Sequence, residues 1–202
     1  MFPTDLTAAL TGASRAQLRR WNRIDLLTPE IADRPRLMYS FRDVVALRTV
    51  VRLRSNTSLQ KVRRAFNSLP TFDLTEHPSK YRFGTDGETI VVEDDDDNLI
   101  DLVRSPGQYH FVSLADVFAP FVNQRGENVV DFLHPRERLE VRAARMGGWP
   151  TIVDTRIPYD TVADLVSTGE VPLDRVDYYY PGVDAEAARE ALDFRNAVRG
   201  VA

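Results

Sequence analysis

Glycine and proline punctuation confines this chain to short elements, above all over residues 1–70. Gly12 breaks the helical pattern of Thr4–Leu10, Pro29 and Pro35 interrupt Thr28–Tyr39, and Pro70 ends the apolar stripe that begins at Leu59. A chain cut in this way builds small packed helices around turns rather than one long rod. Leu6, Ala9 and Leu10 share one face of the first helix. Ser14 opens the second, and Gln17 completes a capping-box pattern. There Leu18 and Trp21 point toward a core, while Arg15, Arg19 and Arg23 recur every four residues along another face. Thr28–Tyr39 fits a hairpin or wing carrying Arg34 and Arg36. Ser40 caps a helix over Phe41–Arg54, with Val44, Leu47 and Val51 expected inside and Arg42, Arg48 and Arg52 outside. Ser58 starts a fourth, Leu59–Leu69, striped by Leu59, Val62, Phe66 and Leu69.

Charge is divided along the chain. Residues 1–69 hold 13 Lys/Arg against 5 Asp/Glu, residues 70–133 hold 4 against 13, and residues 134–202 hold 9 against 12. The formal net charge of −4 therefore hides a basic first third. Two short helices joined by a glycine turn, the second one basic, match the arrangement that seats a recognition helix in the major groove. Each arginine near a phosphate would release a condensed counterion. A small bundle with a solvated arginine surface would give the same spacing.

Other classes of function find little support. No run approaches the length of an apolar membrane span, no basic region followed by an apolar stretch opens the chain, and there is no cysteine. A cytoplasmic protein is the simplest expectation. His77, His110 and His134 are scattered without companion motifs, and neither a phosphate loop, a nucleophile elbow nor a zinc pattern occurs, so no enzyme, cofactor or metal is expected. The acidic middle reads as a small sheet: Tyr81–Phe83, Thr89–Val92, Leu99–Val103 and Tyr109–Val112, with a turn at Gly84–Gly87. The carboxylates of Glu93–Asp97 lack the spacing of a calcium loop and read as a repelling hairpin tip. Asp116–Asn123 reads as a short apolar helix.

The run Ser14-Arg15-Ala16-Gln17-Leu18-Arg19-Arg20-Trp21, then Leu26-Leu27-Thr28-Pro29, resembles the DNA-reading helix and the start of the wing in MerR-type regulators. Tyr39–Arg48 and Thr57–Val62 resemble that family's second helical pair, so the likeness covers about residues 4–69. It implies phosphate contacts from Arg19 and Trp21 and base-edge contacts nearest Arg15 and Gln17, with Ser14, Arg20, Arg23, Arg34 and Arg36 on the same surface. Asp25 stands where the family carries glycine, the wing lacks Gly-Tyr-Arg, and Pro70-Thr71-Phe72-Asp73 stops the chain short of a long dimerisation helix.

Residues 134–202 carry a second likeness. An arm by composition, Pro135–Val141, precedes three helical stretches: Asp160–Thr168, Leu173–Tyr179 and one capped by Asp184 with Ala188, Ala191, Leu192 and Val198 in a stripe. Gly148-Trp149-Pro150-Thr151-Ile152, Thr155-Arg156-Ile157-Pro158 and Tyr180-Pro181 resemble a small domain of unknown function found in Vap-type antitoxins, over about residues 136–199. Asp154 replaces a glycine there, at a turn expected to need left-handed geometry. The resemblance implies a three-helix, homeodomain-like unit that dimerises and pairs with a PIN-like ribonuclease. Arg156 and Tyr159 would lie on its second DNA or dimer surface. Arg136, Arg138, Arg142 and Arg145 fall in a stretch expected to be exposed, where an arginine could enter the toxin's carboxylate cluster.

The expected architecture is thus mainly α with a small β component. It comprises a winged helix-turn-helix (1–70), a small mainly-β acidic connector (71–133) and an antitoxin-type helical domain with an N-terminal arm (134–202). The expected function is the antitoxin of a type II toxin–antitoxin pair that neutralises a PIN-like ribonuclease toxin and, as a homodimer on double-stranded operator DNA, represses its own operon. The alternative is a stand-alone MerR-like regulator with a small-molecule effector.

Overall fold

The computed structural model describes residues 1–93, 99–103 and 110–200. The carboxylates at 94–97 and the Pro106-Gly107 turn lie outside the described residues. The fold is mainly α with small antiparallel sheets.

A strand that the sequence patterns did not reveal, β1 (Phe2–Pro3), opens the chain and pairs later with β2 (Met38–Tyr39). Between them lie α1 (Thr4–Thr11) and α2 (Arg15–Arg23). Gly12 ends α1 in the left-handed region at φ 75°, where a Cβ would stand 2.3 Å from Val129 Cγ2. After β2 come α3 (Phe41–Leu53) and α4 (Leu59–Ser68). Pro70 closes α4 in a 3₁₀ turn, Leu69–Phe72, whose N-terminal positions tolerate the missing N–H.

The middle segment forms a four-stranded antiparallel sheet from β3 (Arg82–Thr85), β4 (Ile90–Glu93), β5 (Leu99–Asp101) and β6 (His110–Val112), in the order β5-β4-β3-β6. The turn falls after Thr85, where the Asp86 carboxylate accepts the N–H groups of Glu88 and Thr89, each at 2.8 Å. The expected helix at Asp116–Asn123 is shorter and earlier: α5 spans Leu114–Phe118. Pro120 breaks it, and β7 (Phe121–Val122) turns back on β8 (Asn128–Val129) as a hairpin.

The C-terminal segment begins with β9 (Leu139–Glu140) paired to β10 (Thr151–Ile152). Then follow α6 (Tyr159–Ser167), α7 (Val176–Tyr179) and α8 (Ala185–Gly200), with Asp184 Oδ1 accepting the Ala187 N–H at 2.7 Å. Buried Ala188, Ala191 and Val198 line its inner stripe.

One continuous hydrophobic core runs through all three segments. Its spine is a run of aromatic contacts: Phe118 to Phe132 (5.3 Å between centroids), Phe132 to Phe41 (5.5 Å), Phe41 to Phe2 (6.5 Å), Phe2 to Trp149 (6.3 Å), Trp149 to Tyr159 (6.2 Å) and Tyr159 to Phe194 (4.9 Å).

Arg48 overturns the expected outer face of α3. Its side chain is fully buried, with Nε and Nη1 donating to the carbonyls of Val117 and Leu10. Nη2 donates to Phe118 (3.2 Å), Ala119 (2.9 Å) and Val130 (2.6 Å). Phe121 and Phe132 cover the guanidinium at 5.2 and 5.7 Å. Burial, together with the charge of Arg52, pushes its pKa down to about 10, against the pull of Asp131. The group thus stays cationic at neutral pH and gathers carbonyls from α1, α5 and the chain after β8.

Candidate nucleic-acid interface

The capping box at α2 forms as its residues dictate: Ser14 Oγ accepts the Gln17 N–H at 3.2 Å, and Gln17 Oε1 accepts the Ser14 N–H at 2.8 Å. This fixes the first turn and with it the rotation of the helix. Leu18 and Trp21 go into the core, leaving Arg19, Arg20 and Arg23 exposed. Asp25 follows in the left-handed region, at φ 54°, and turns the chain so that Leu26 and Leu27 are buried. Its carboxylate occupies the position where the MerR pattern has glycine.

The wing is real but sparse. Ala32 and Met38 bridge, with Met38 N–H to Ala32 O at 2.8 Å, and the intervening loop holds Arg34 and Arg36 in solvent. Asp43, fully buried at the start of α3, fixes the base of this loop. Its Oδ2 accepts the N–H groups of Glu30 (2.9 Å) and Ser40 (2.8 Å), and its Oδ1 lies 3.2 Å from His77 Nε2. His77 Nδ1 accepts the Ser79 N–H at 3.2 Å, which leaves Nε2 to carry the proton toward Asp43. Burial alone would raise the Asp43 pKa. The His77 hydrogen bond and the two backbone N–H groups outweigh it and hold the carboxyl below its ordinary range. No spacing in the sequence links His77 to Asp43, because the pairing is made by the fold.

Between α2 and the wing lie two adjoining clefts, one lined by Arg19 and Arg36 with Asp5 and Asp33, the other by Arg19, Arg23 and Arg34 with Asp25 and Asp33. None of these four arginines makes an ion pair among the described residues. This is the cationic surface the sequence pointed to, with corrections. Arg15 is not a free member of the ridge: its Nε lies 2.7 Å from Asp5 Oδ1, and its Nη2 donates to the Arg199 carbonyl of α8 at 3.1 Å. Trp21 is 1% exposed, so its ring cannot lie against a phosphate. Gln17 Oε1 also accepts from Arg125 Nη1 at 3.1 Å, which turns that oxygen toward the β7–β8 hairpin.

The arm is exposed at Arg142, as expected, and partly buried at Arg136, Arg138 and Arg145, and it is folded onto its own segment. Glu140, 1% exposed, receives Arg142 Nε at 2.5 Å and the Arg145 Nη1 group on its other oxygen. Arg136 pairs with Asp193 at 2.8 Å and covers Phe194, while Arg138 faces Asp184 at 3.6 Å and Glu186 at 3.8 Å. Internal carboxylates thus already hold all four guanidiniums. Tyr159 is also core rather than surface, whereas Arg156 is exposed. The most exposed aromatic side chains of this segment are Tyr178 and Tyr179, at 82% and 52%. No described helix is long and apolar enough to cross a membrane.

Residues 4–69 match the family described as MerR HTH family regulatory protein, and residues 140–194 match the family described as a protein of unknown function (DUF433). The chain therefore carries a MerR-family helix-turn-helix domain, which supports DNA-binding regulation, ahead of a DUF433 domain. No curated protein and no solved structure matches the chain.

Proposed function

We propose that this chain is an operator-binding regulator that doubles as the antitoxin of a type II toxin–antitoxin pair, acting by binding rather than catalysis. The observation that carries the DNA role is the clustering of Arg19, Arg23, Arg34 and Arg36 along two adjoining clefts between α2 and the wing. A helix in the major groove with a wing beside it brings such side chains to phosphates on both groove edges. A homodimer would present two copies of this surface to a palindromic operator.

The toxin role rests on the likeness of the C-terminal segment to a domain found in Vap-type antitoxins, and on the exposed Tyr178–Tyr179 pair within it. Exposed aromatics of this kind anchor protein interfaces. The internal pairing of the arm arginines favours this tyrosine surface over an inserted arginine as the contact for a PIN-like ribonuclease.

Measuring affinity for the upstream operator against salt tests the first role. Each lost phosphate contact should flatten the slope of log affinity against log salt by about 0.9. Arg23→Ala and Arg34→Ala should each do so, whereas Arg15→Ala, held by Asp5 and Arg199, should change the slope little. Co-expression with the adjacent reading frame tests the second: a ribonuclease should co-purify, and Tyr178→Ala with Tyr179→Ala should release it. Slopes unchanged by Arg23→Ala and Arg34→Ala would place the DNA surface elsewhere.

A further inference from the structure

Two buried donors on one wall of the N-terminal segment lack acceptors. Trp21 Nε1 and Arg54 Nε are both buried and meet no acceptor among the described residues. Both residues line a single small cavity with Gly12, Gln17, Asn123, Gln124 and Arg125, which has room for about one water-sized sphere. Three of the acceptors at its rim are already used, and the Gln124 amide beside them is exposed to solvent. Gly12 O receives Asn123 Nδ2 at 3.0 Å and Arg125 Nη2 at 3.1 Å, and Asn123 Oδ1 receives the N–H groups of Arg125 (2.9 Å) and Glu127 (3.1 Å). Gln17 Oε1 is held by Ser14 and Arg125.

Charge around this cavity is one-sided. The Arg54 guanidinium lies 5.8 Å from the centre of the Trp21 ring. Its pKa is lowered first by burial and then by the cations Arg20 and Arg125. Glu127, the nearby carboxylate, is bound by Arg125 Nε at 2.8 Å. A water molecule would satisfy two N–H groups but leave the charge uncompensated, whereas an anion answers both.

We infer that this cavity is an anion site, in which Trp21 Nε1–H and Arg54 Nε–H hold one anionic atom: a halide or a single oxygen of a phosphate. It touches the α1–α2 turn, α2, the end of α3 and the β7–β8 hairpin. Occupancy would therefore clamp the recognition helix to the middle segment. The phosphate oxygen could come from a free anion or from a duplex backbone, and the two sources give different readouts.

Trp149→Phe leaves Trp21 as the sole indole of the full chain. That variant is titrated with sodium phosphate and with sodium chloride, gluconate holding ionic strength constant, while Trp21 emission is followed. The expected result is a saturable change, matched in the unaltered chain by a rise of about 3–6 °C in Tm at tenfold excess over Kd. Arg54→Gln in either background, and Trp21→Phe by Tm alone, should weaken binding at least tenfold. A response to free phosphate or chloride identifies a free anion. Silence with both, but an Arg54-dependent response to a DNA duplex, identifies the backbone as the source. No saturable response to any of them, or one that survives Arg54→Gln and Trp21→Phe, means the cavity holds water and overturns the assignment.

Discussion

Arg48 Nη2 donates to the carbonyl of Val130 at 2.6 Å, across a sequence separation of 82 residues. This bond, with its companions to Leu10, Val117, Phe118 and Ala119, makes an arginine on a helix of the DNA-binding segment the fastening point for the acidic middle. Arg48→Leu would take a donor from five carbonyls, of which that of Phe118 keeps the Phe132 N–H at 2.8 Å, and should cost about 3–5 kcal/mol. Arg48→Lys should recover little, since an ammonium cannot reach carbonyls spread around a planar fork. Urea denaturation midpoints at constant m-value would measure both.

Asp43 predicts a specific acid sensitivity. Its carboxyl is held below the ordinary carboxylate range in the fold, so the unfolded chain takes up the proton first as pH falls. The stabilisation is fully present above that range and drains away as pH drops toward the folded pKa. Asp43→Asn should remove this part of the pH dependence and cost about 1–3 kcal/mol at neutral pH. Thermal melts of both proteins between pH 2 and 7 should converge at the acid end, and a constant gap across the range would contradict the account.

Gly148 sits where the C-terminal segment meets the aromatic spine. A Cβ there would lie 2.4 Å from Phe41 Cδ2 and 3.1 Å from Phe2 Cζ, at a backbone φ of 85°. Both neighbours are rings packed against other rings and cannot swing away. Gly148→Ala should therefore destabilise by about 2–4 kcal/mol. Gly169→Ala, at φ 78° with nothing within 4 Å, should cost only about 1 kcal/mol by calorimetry.

Asp25 and Asp154 adopt left-handed backbones, with φ of 54° and 58°. Aspartate tolerates this region better than most residues, yet glycine enters it without steric cost. Asp154→Gly loses only a long contact to Arg142, at 3.6 Å on an exposed side chain. It should raise stability by a few tenths to about 1 kcal/mol, visible as a higher Tm. A lower Tm would show that the carboxylate matters more than the turn.

Local chemistry was readable in the residues. The capping box of α2, the Ser40 cap of α3, the apolar stripes of α4 and α8, the turn at Gly12 and the left-handed demand at Asp154 each depend on neighbours within about four positions. Periodicity and short-range hydrogen bonding decide such features, and both are written in linear order. The cationic character of α2 and the wing was legible for the same reason.

The fate of individual arginines was not. Arg42, Arg48 and Arg52 are alike in chemistry, although at 3.6 residues per turn Arg48 falls nearest the Val44, Leu47 and Val51 stripe. Arg48 is inside because carbonyls from α5 and Val130 arrive from far along the chain to replace its water. Arg15 leaves the ridge because α8 comes to rest beside it, and Arg142 and Arg145 are held because β9 buries Glu140 between them. Sequence by itself determined the helices of the first seventy residues and the central strands, since local torsional and hydrogen-bonding energy decides them, but not β1 or the β7–β8 hairpin, whose short strands depend on the partners they meet. Only the tertiary structure decided which charges face solvent, because desolvation and pairing depend on the groups that long-range packing brings within a few ångströms.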